Sequence, residues 1–322
     1  MRGSEVILLS VFFDHILQAR EQTGKTIPEL LAEVKKAGIS AVEINSTYLL
    51  EHPETLEMLE AAGLQVSCVY EFYALERGRE TEKARRHIEI ARKAKAGKIL
   101  IVPGFFSVET EDFVKCVSDK QKVWDYLFHS KKALRMADGL REIVEMAEKI
   151  TVVIEDFDDR NSPIACVNGM LWFAEQVPGL HFTFDTGNFI IHGEDIFAAW
   201  EALKDKTVHV HCKDRKRKNN MTQNAKEPDM TGQVQNAGEP DTTGQVKYAK
   251  EPDIKAWYLP SAVGEGCIPI RRLVHKMRED GYQGYFAIEH FDAKDQERCM
   301  QASAASLRTY GEKVSYGKIY TK

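Results

Sequence analysis

Between residues 151 and 214 the chain reads TVVIED (151–156), HFTFDTGN (181–188) and TVHVHCKD (207–214), and later YFAIEH (285–290). Each segment is a short apolar run closed by a carboxylate or an imidazole: Glu155, Asp185, His211 and Glu289. Nearly continuous apolar runs of this length are characteristic of parallel strands covered on both faces. Working outward, Val6–Phe12, Ala41–Ile44, Gln65–Tyr70 and Lys98–Val102 have the same character, which makes eight runs. Segments of helical period separate them. Thr26 precedes Pro28 and Glu29, Leu30, Leu31 and Val34 follow, and Gly38 ends the pattern, as helix start and stop signals do. Pro53-Glu54 opens another helix that Gly63 ends, and Leu134, Ala137, Leu140, Val144 and Ala147 form a stripe within Ala133–Lys149. Eight strand–helix units predict an α/β chain folded as a (β/α)8 barrel rather than an open doubly wound sheet. No glycine-rich dinucleotide fingerprint follows the first run, where Phe12-Phe13-Asp14-His15 stands.

The length fits either two medium domains or one large α/β barrel of about 250 residues plus an insertion, and the eight strand–helix units favour the barrel. The chain has 322 residues, 44 Lys+Arg and 49 Asp+Glu, for a net charge of -5, with 43% apolar and 29% charged residues. That excludes wholesale disorder, collagen and a coiled-coil rod. No apolar run approaches the roughly 20 residues of a membrane helix, so we expect no membrane span and a cytoplasmic protein. Mild acidity argues against a nucleic-acid partner. The six cysteines contain no C-x-x-C pair, which predicts reduced thiols rather than a zinc ribbon or disulfide framework.

One segment breaks the alternation. Residues 225–236 read AKEPDMTGQVQN and residues 237–248 read AGEPDTTGQVKY, and Ala249–Asp253 begins a third copy. Units this short and polar cannot bury a core of their own. We expect residues 218–253 to be a repeat-containing insertion in the seventh βα loop of a single domain. Just before it, Lys213, Arg215, Lys216, Arg217 and Lys218 form a cation cluster, either a solvated face or a clamp on an anionic substrate.

Barrel enzymes work at the C-terminal ends of their strands, so the residues that close the runs carry the information. A single acid there is usually a helix N-cap or a surface charge. Four metal-binding groups closing the last four runs call for a joint explanation: neighbouring strand ends point toward one mouth, so Glu155, Asp185, His211 and Glu289 could converge on one ion. Three carboxylates and one imidazole favour Mn²⁺, Mg²⁺ or Co²⁺, with Zn²⁺ a further option. About two positions on such an ion stay open for the vicinal oxygens of a sugar, whose carbonyl the ion would polarise. Glu43, which closes the second run, is expected at the same mouth as a substrate contact. Phe12, Phe13, Tyr70, Phe72, Phe105 and Phe106 also gather there, either to stack on a sugar or to pack over the barrel. Gly264-Glu265-Gly266 is either a backbone approach to substrate or a tight turn.

These segments resemble the sugar phosphate isomerase/epimerase family, the xylose-isomerase-like barrels. The resemblance is carried by Val153-Ile154-Glu155, Phe184–Asn188, Val210–Asp214, Gly264–Gly266, and Gly281-Tyr282 with Gly284 running into Ala287–His290. Gly38–Ile44 is similar to the family's second strand. The resemblance spans nearly the whole chain except the repeat. It implies a TIM barrel with one divalent metal on Glu155, Asp185, His211 and Glu289, a carbohydrate substrate and a possible homodimer. It further implies that Glu155 and Glu289 are the acid/base pair, exchanging protons with a substrate carbon through a metal-stabilised enediolate. Arg217 then falls where such epimerases carry a substrate-contacting arginine, and Asp214 is expected to orient His211 from behind. Asn188 stands where epimerases of this group often carry a histidine; it can hydrogen-bond substrate but cannot be a cationic acid. The expected activity is that of a metal-dependent sugar or sugar phosphate isomerase or epimerase. A dehydratase of a keto-inositol-type substrate is the alternative, ahead of a non-catalytic sugar-binding barrel. Asn188 and the acidic charge weigh against an endonuclease IV-like DNA repair enzyme.

Overall fold

In the computed structural model the segments quoted above are strands, three of which end on Glu155, Asp185 and Glu289, while the seventh runs on past His211. The structure describes residues 7–106, 118–159, 161–218 and 257–311. The strands are β1 (Leu8–Phe12), β2 (Ala41–Asn45), β3 (Gln65–Phe72), β4 (Lys98–Val102), β5 (Thr151–Glu155), β6 (His181–Asp185), β7 (Thr207–Arg217), β8 (Tyr258–Ser261) and β9 (Tyr285–Glu289). Eight of them close a parallel barrel: β1 to β7 pair in sequence order, and β9 lies between β7 and β1.

Successive side chains on a strand face opposite ways, so each strand serves two cores. Leu9, Val11, Val42, Ile44, Phe182, Phe184, Phe286 and Ile288 belong to the large cluster shared with the surrounding helices. Phe12, Cys68, Tyr70, Leu100, Val102 and Val153 form a second, smaller cluster of their own. The helices obey their local signals. Ile27–Lys36 starts with a full capping box between Thr26 and Glu29 and buries Leu30, Leu31 and Val34. Lys131–Ala147 buries Ala137, Leu140 and Ala147 of the expected stripe.

The seventh run extends further than its apolar part. β7 continues to Arg217, and β8, which the sequence pattern did not reveal, pairs with it antiparallel from Asp214↔Ser261 to Arg217↔Tyr258. Backbone groups that rise beyond the barrel rim need partners, and the returning chain supplies them. The ladder ends where Lys218 N–H donates to the Trp257 carbonyl at 3.0 Å. Apart from Lys218, the repeat segment 218–253 lies outside the described residues. The five described cysteines are free thiols. Among the described residues no helix is long and apolar enough to cross a membrane.

A half-buried carboxylate couples one helix to pH. Both oxygens of Glu194 accept the Val167 N–H, at 3.2 Å each, at the start of helix Val167–Gln176. Burial raises the Glu194 carboxyl from 4.5 to about 7, with the Val167 N–H opposing the rise. The folded chain therefore holds this proton more tightly than the unfolded chain. The stabilisation is complete below the unfolded value near 4.5 and is lost as pH rises through about 7. Glu194→Gln is expected to lose less melting temperature between pH 5.5 and 8.5 than the native chain, read by circular dichroism.

Candidate metal and active site

The parallel register brings the closing residues level at one rim. Asp185 pairs with His211, and Lys213 with Glu289. Glu155, Asp185, His211 and Glu289 are all buried, and each offers a ligand atom within 4.8 Å of the others. His211 Nδ1 lies 2.7 Å from Glu155 Oε1 and 3.3 Å from Glu289 Oε2. Asp185 is held by the N–H of Gly187, which donates to its Oδ1 at 2.7 Å. The other oxygen, Asp185 Oδ2, is buried without a hydrogen-bond partner, as is Glu289 Oε2. Buried carboxylate oxygens without a hydrogen-bond partner beside a buried imidazole suit a divalent cation, so these residues fit the metal their chemistry suggests.

Lys213 reaches into the same cluster. Its Nζ lies 2.5 Å from Glu289 Oε1 and 3.3 Å from Asp185 Oδ2, and donates to Asn188 Oδ1 at 2.9 Å. Burial disfavours the ammonium, but Asp185 and Glu289 outweigh it and hold the lysine charged. Burial raises the Glu289 carboxyl to about 8, with Lys213 opposing and Asp185 and Glu155 adding to the rise. Burial likewise disfavours the His211 cation, yet Glu155 and Glu43 push its pKa well above the ordinary imidazole value. Beside the cluster, burial and the Asp185 charge keep the Asp156 carboxyl protonated well above its usual range. Asp156 Oδ1 still accepts the backbone N–H of Asp185 at 2.9 Å.

The other expected site residues fall in different places. Asn188 is buried and fully engaged: its Nδ2 donates to the Asp156 carbonyl at 2.7 Å, and its Oδ1 accepts from Lys213 and Arg215. Glu43 is buried, and its Oε2 accepts from His209 Nε2 at 2.8 Å and His211 Nε2 at 3.0 Å. Arg217 is exposed on the β7–β8 ladder, whereas Arg215, two residues nearer the barrel, lines the cavity. The Arg215 guanidinium donates to the Gly187 carbonyl, Asp158 and Asn188.

Asp214 does not orient His211. It is three residues further along a strand of period two and therefore faces the other way. It accepts instead from the N–H groups of Arg215, Gly264, Gly266 and Ile268, at 2.8–3.2 Å. The Gly264 and Gly266 amides thus serve an internal carboxylate in a tight turn, and the Glu265 N–H donates to the Ala262 carbonyl at 3.0 Å. A Cβ on Gly266 would stand 2.1 Å from Asp214 Oδ1 and 2.6 Å from the Arg215 carbonyl. Gly266→Ala is expected to cost about 1–3 kcal/mol in chemical denaturation, because the carbonyl of a paired strand cannot move aside.

A cavity of about 600 Å³ opens over the cluster. Phe12, Tyr70 and Phe72 line it, together with Phe157, Tyr258 and Phe291. Phe13 and Phe106 are packed in the outer core instead, and Phe105 lies against Phe157. The Tyr70 hydroxyl donates to Asp14 Oδ2 at 2.8 Å inside the cavity. His209 is a member of the site that the sequence reasoning did not place there, whereas Lys213 and Arg215 were expected only as part of a cation cluster, as a solvated face or a clamp on an anionic substrate. The signal was available: from His209 the odd-numbered residues of β7 share the inward face with His211.

The family model for xylose isomerase-like TIM barrels matches residues 31–310, so the chain belongs to that family. Solved structures share the architecture. The probable 3-DHS dehydratase AsbF from Bacillus anthracis is 15% identical, with 94% of this chain and 98% of that one covered at a TM-score of 0.63. D-allulose 3-epimerase from Methylomonas sp. is 10% identical, with 95% and 98% covered and a TM-score of 0.63. A xylose isomerase-like TIM barrel protein from Mycobacterium smegmatis, in complex with magnesium, is 14% identical, with 97% and 98% covered and a TM-score of 0.60. No curated protein matched the sequence.

Proposed function

We propose that the chain is a divalent-metal-dependent isomerase or epimerase of a sugar, acting by proton abstraction next to a carbonyl. The observation that carries this reading is the buried quartet of Glu155, Asp185, His211 and Glu289, of which Glu155, His211 and Glu289 line an aromatic-walled cavity and two carboxylate oxygens lack a hydrogen-bond partner. A metal bound by the quartet, Mn²⁺, Mg²⁺ or Co²⁺ by its donor set, supplies the Lewis acidity that polarises the carbonyl and acidifies the neighbouring C–H. Glu155 and Glu289 act as the acid/base pair, each taking or returning a proton at the reacting carbon. Burial raises the carboxyl of both, which suits groups that must hold a proton part of the time. Lys213 holds Glu289 by an ion pair, and Asn188 fixes Lys213 and Arg215 in turn. Arg215 and Asn188, rather than Arg217, border the substrate space.

The cavity favours an uncharged sugar over a phosphorylated one. Lys213 is paired with Glu289 and Arg215 with Asp158, while Asp14 and Asp292 add further negative charge to the lining. A phosphate would meet this excess of carboxylates with both described cations already committed.

A dehydratase would begin with the same proton abstraction. Glu289, raised to about 8, is suited to protonate a leaving hydroxyl, and this keeps that reading as the second one. A panel of free ketoses, keto-inositols and their phosphates, incubated with Mn²⁺ in D₂O and followed by NMR, separates the two. Exchange of a carbon-bound proton without elimination supports the isomerase or epimerase. Net loss of water makes the enzyme a lyase, and turnover of phosphates alone overturns the preference for an uncharged substrate.

A further inference from the structure

We infer that Glu43 and His209 are positioning residues that fix the tautomer and orientation of His211. The inference rests on the metal reading above. Glu43 stands on β2 and the two histidines on β7, with β1 and β9 between those strands, so the contact is a strut across the barrel interior. All three side chains are fully buried. An ionised carboxylate only accepts hydrogen bonds. Nδ1 of His211 faces the other three ligands, which leaves the ring proton on Nε2, the nitrogen that lies 3.0 Å from Glu43 Oε2. With both Nε2 atoms on the same Glu43 oxygen, both imidazoles donate there.

For His211 the consequence is directional. With the Nε2–H committed to Glu43, Nδ1 is the nitrogen turned toward Glu155 and Glu289. Without that commitment the ring can turn over about its terminal torsion and aim carbon at the other three ligands. His209 acts one step further back. It sits two residues earlier on the same face of β7, and its own Nδ1 has no hydrogen-bond partner. Its single bond therefore pins the Glu43 oxygen that pins His211.

Removal of such outer partners typically weakens a metal site about 10–100-fold. The test is isothermal titration of Mn²⁺ into the full chain and its Glu43→Leu, Glu43→Gln and His209→Phe variants. Folding is checked by circular dichroism, and the His211 ring nitrogens are followed by ¹⁵N NMR. Glu43→Leu is expected to weaken Mn²⁺ binding about 10–100-fold and, in the Mg²⁺-loaded chain, to erase the signature of an Nε2–H held at His211. Glu43→Gln, whose amide oxygen still accepts, should lose less. If Glu43→Leu does not fold, Glu43→Gln and His209→Phe carry the comparison. Binding by every folded variant within about twofold of the native chain overturns the positioning role and leaves the metal reading standing. A second bound ion per chain that disappears in His209→Phe also overturns it, because the strut would then be a metal site itself. A native chain that binds no Mn²⁺, Mg²⁺ or Co²⁺ overturns both.

Discussion

Glu289→Gln is expected to slow proton exchange at the substrate carbon by about 10²–10⁴-fold while leaving the chain folded. The amide is close in size to the carboxyl, so the wall of the cavity keeps its shape. What disappears is the proton acceptor and the charge. Removal of the charge does not strand Lys213, whose ammonium keeps Asp185 at 3.3 Å and Asn188 at 2.9 Å. The melting temperature should therefore change far less than the rate. In the metal-free chain burial raises the Glu289 carboxyl above its ordinary range, with Lys213 opposing the rise, and a bound cation would favour its carboxylate form. Full turnover of the true substrate by the folded Glu289→Gln variant would remove this residue from the acid/base pair.

Metal removal is the second large effect. Treatment with a chelator is expected to abolish turnover, and Mn²⁺ or Co²⁺ to restore it. The physical basis is the crowding of Glu155, Asp185 and Glu289 around one imidazole. Lys213 and His211 counter part of that negative charge, yet Asp185 Oδ2 and Glu289 Oε2 stay without a hydrogen-bond donor. Asp185 and Glu289 would help hold a divalent ion, whose charge would offset the remaining carboxylates. Because it binds the folded chain and not the unfolded one, free metal at 100 times its Kd should add about 2.7 kcal/mol of stability. A rise in melting temperature on metal addition should therefore accompany recovery of activity. Turnover by protein shown to be metal-free by elemental analysis would contradict the assignment.

Much of the barrel is legible in the sequence because each strand must be apolar on both faces and must stop at water. The last apolar residue and the first polar one mark both the strand end and the site, and Glu155, Asp185, His211 and Glu289 were readable for that reason. β8 was not. Tyr258–Ser261 is a four-residue edge strand that contains Pro260 and pairs outside the barrel, so it carries neither the length nor the apolar density of the others. The arginine at the cavity was misread by position. Arg217 shares a face with Arg215 but lies about 6–7 Å further along the strand, past the rim. The expected role of Asp214 failed on parity, since proximity in sequence to His211 says nothing about which face a strand residue occupies. Glu43 was legible as a rim carboxylate, but its bond to His209 and His211 depends on a contact across the barrel that no local pattern encodes.

The central claim, metal-dependent abstraction of a proton next to a sugar carbonyl by Glu155 and Glu289, is tested most directly by deuterium wash-in. The native chain, loaded with Mn²⁺, is incubated in D₂O with the ketose it turns over, and the carbon next to the carbonyl is followed by NMR. The account predicts deuterium at that carbon, lost on chelation and lost in Glu289→Gln. Product formed with its original hydrogen retained, or wash-in that persists in metal-free protein, would contradict it.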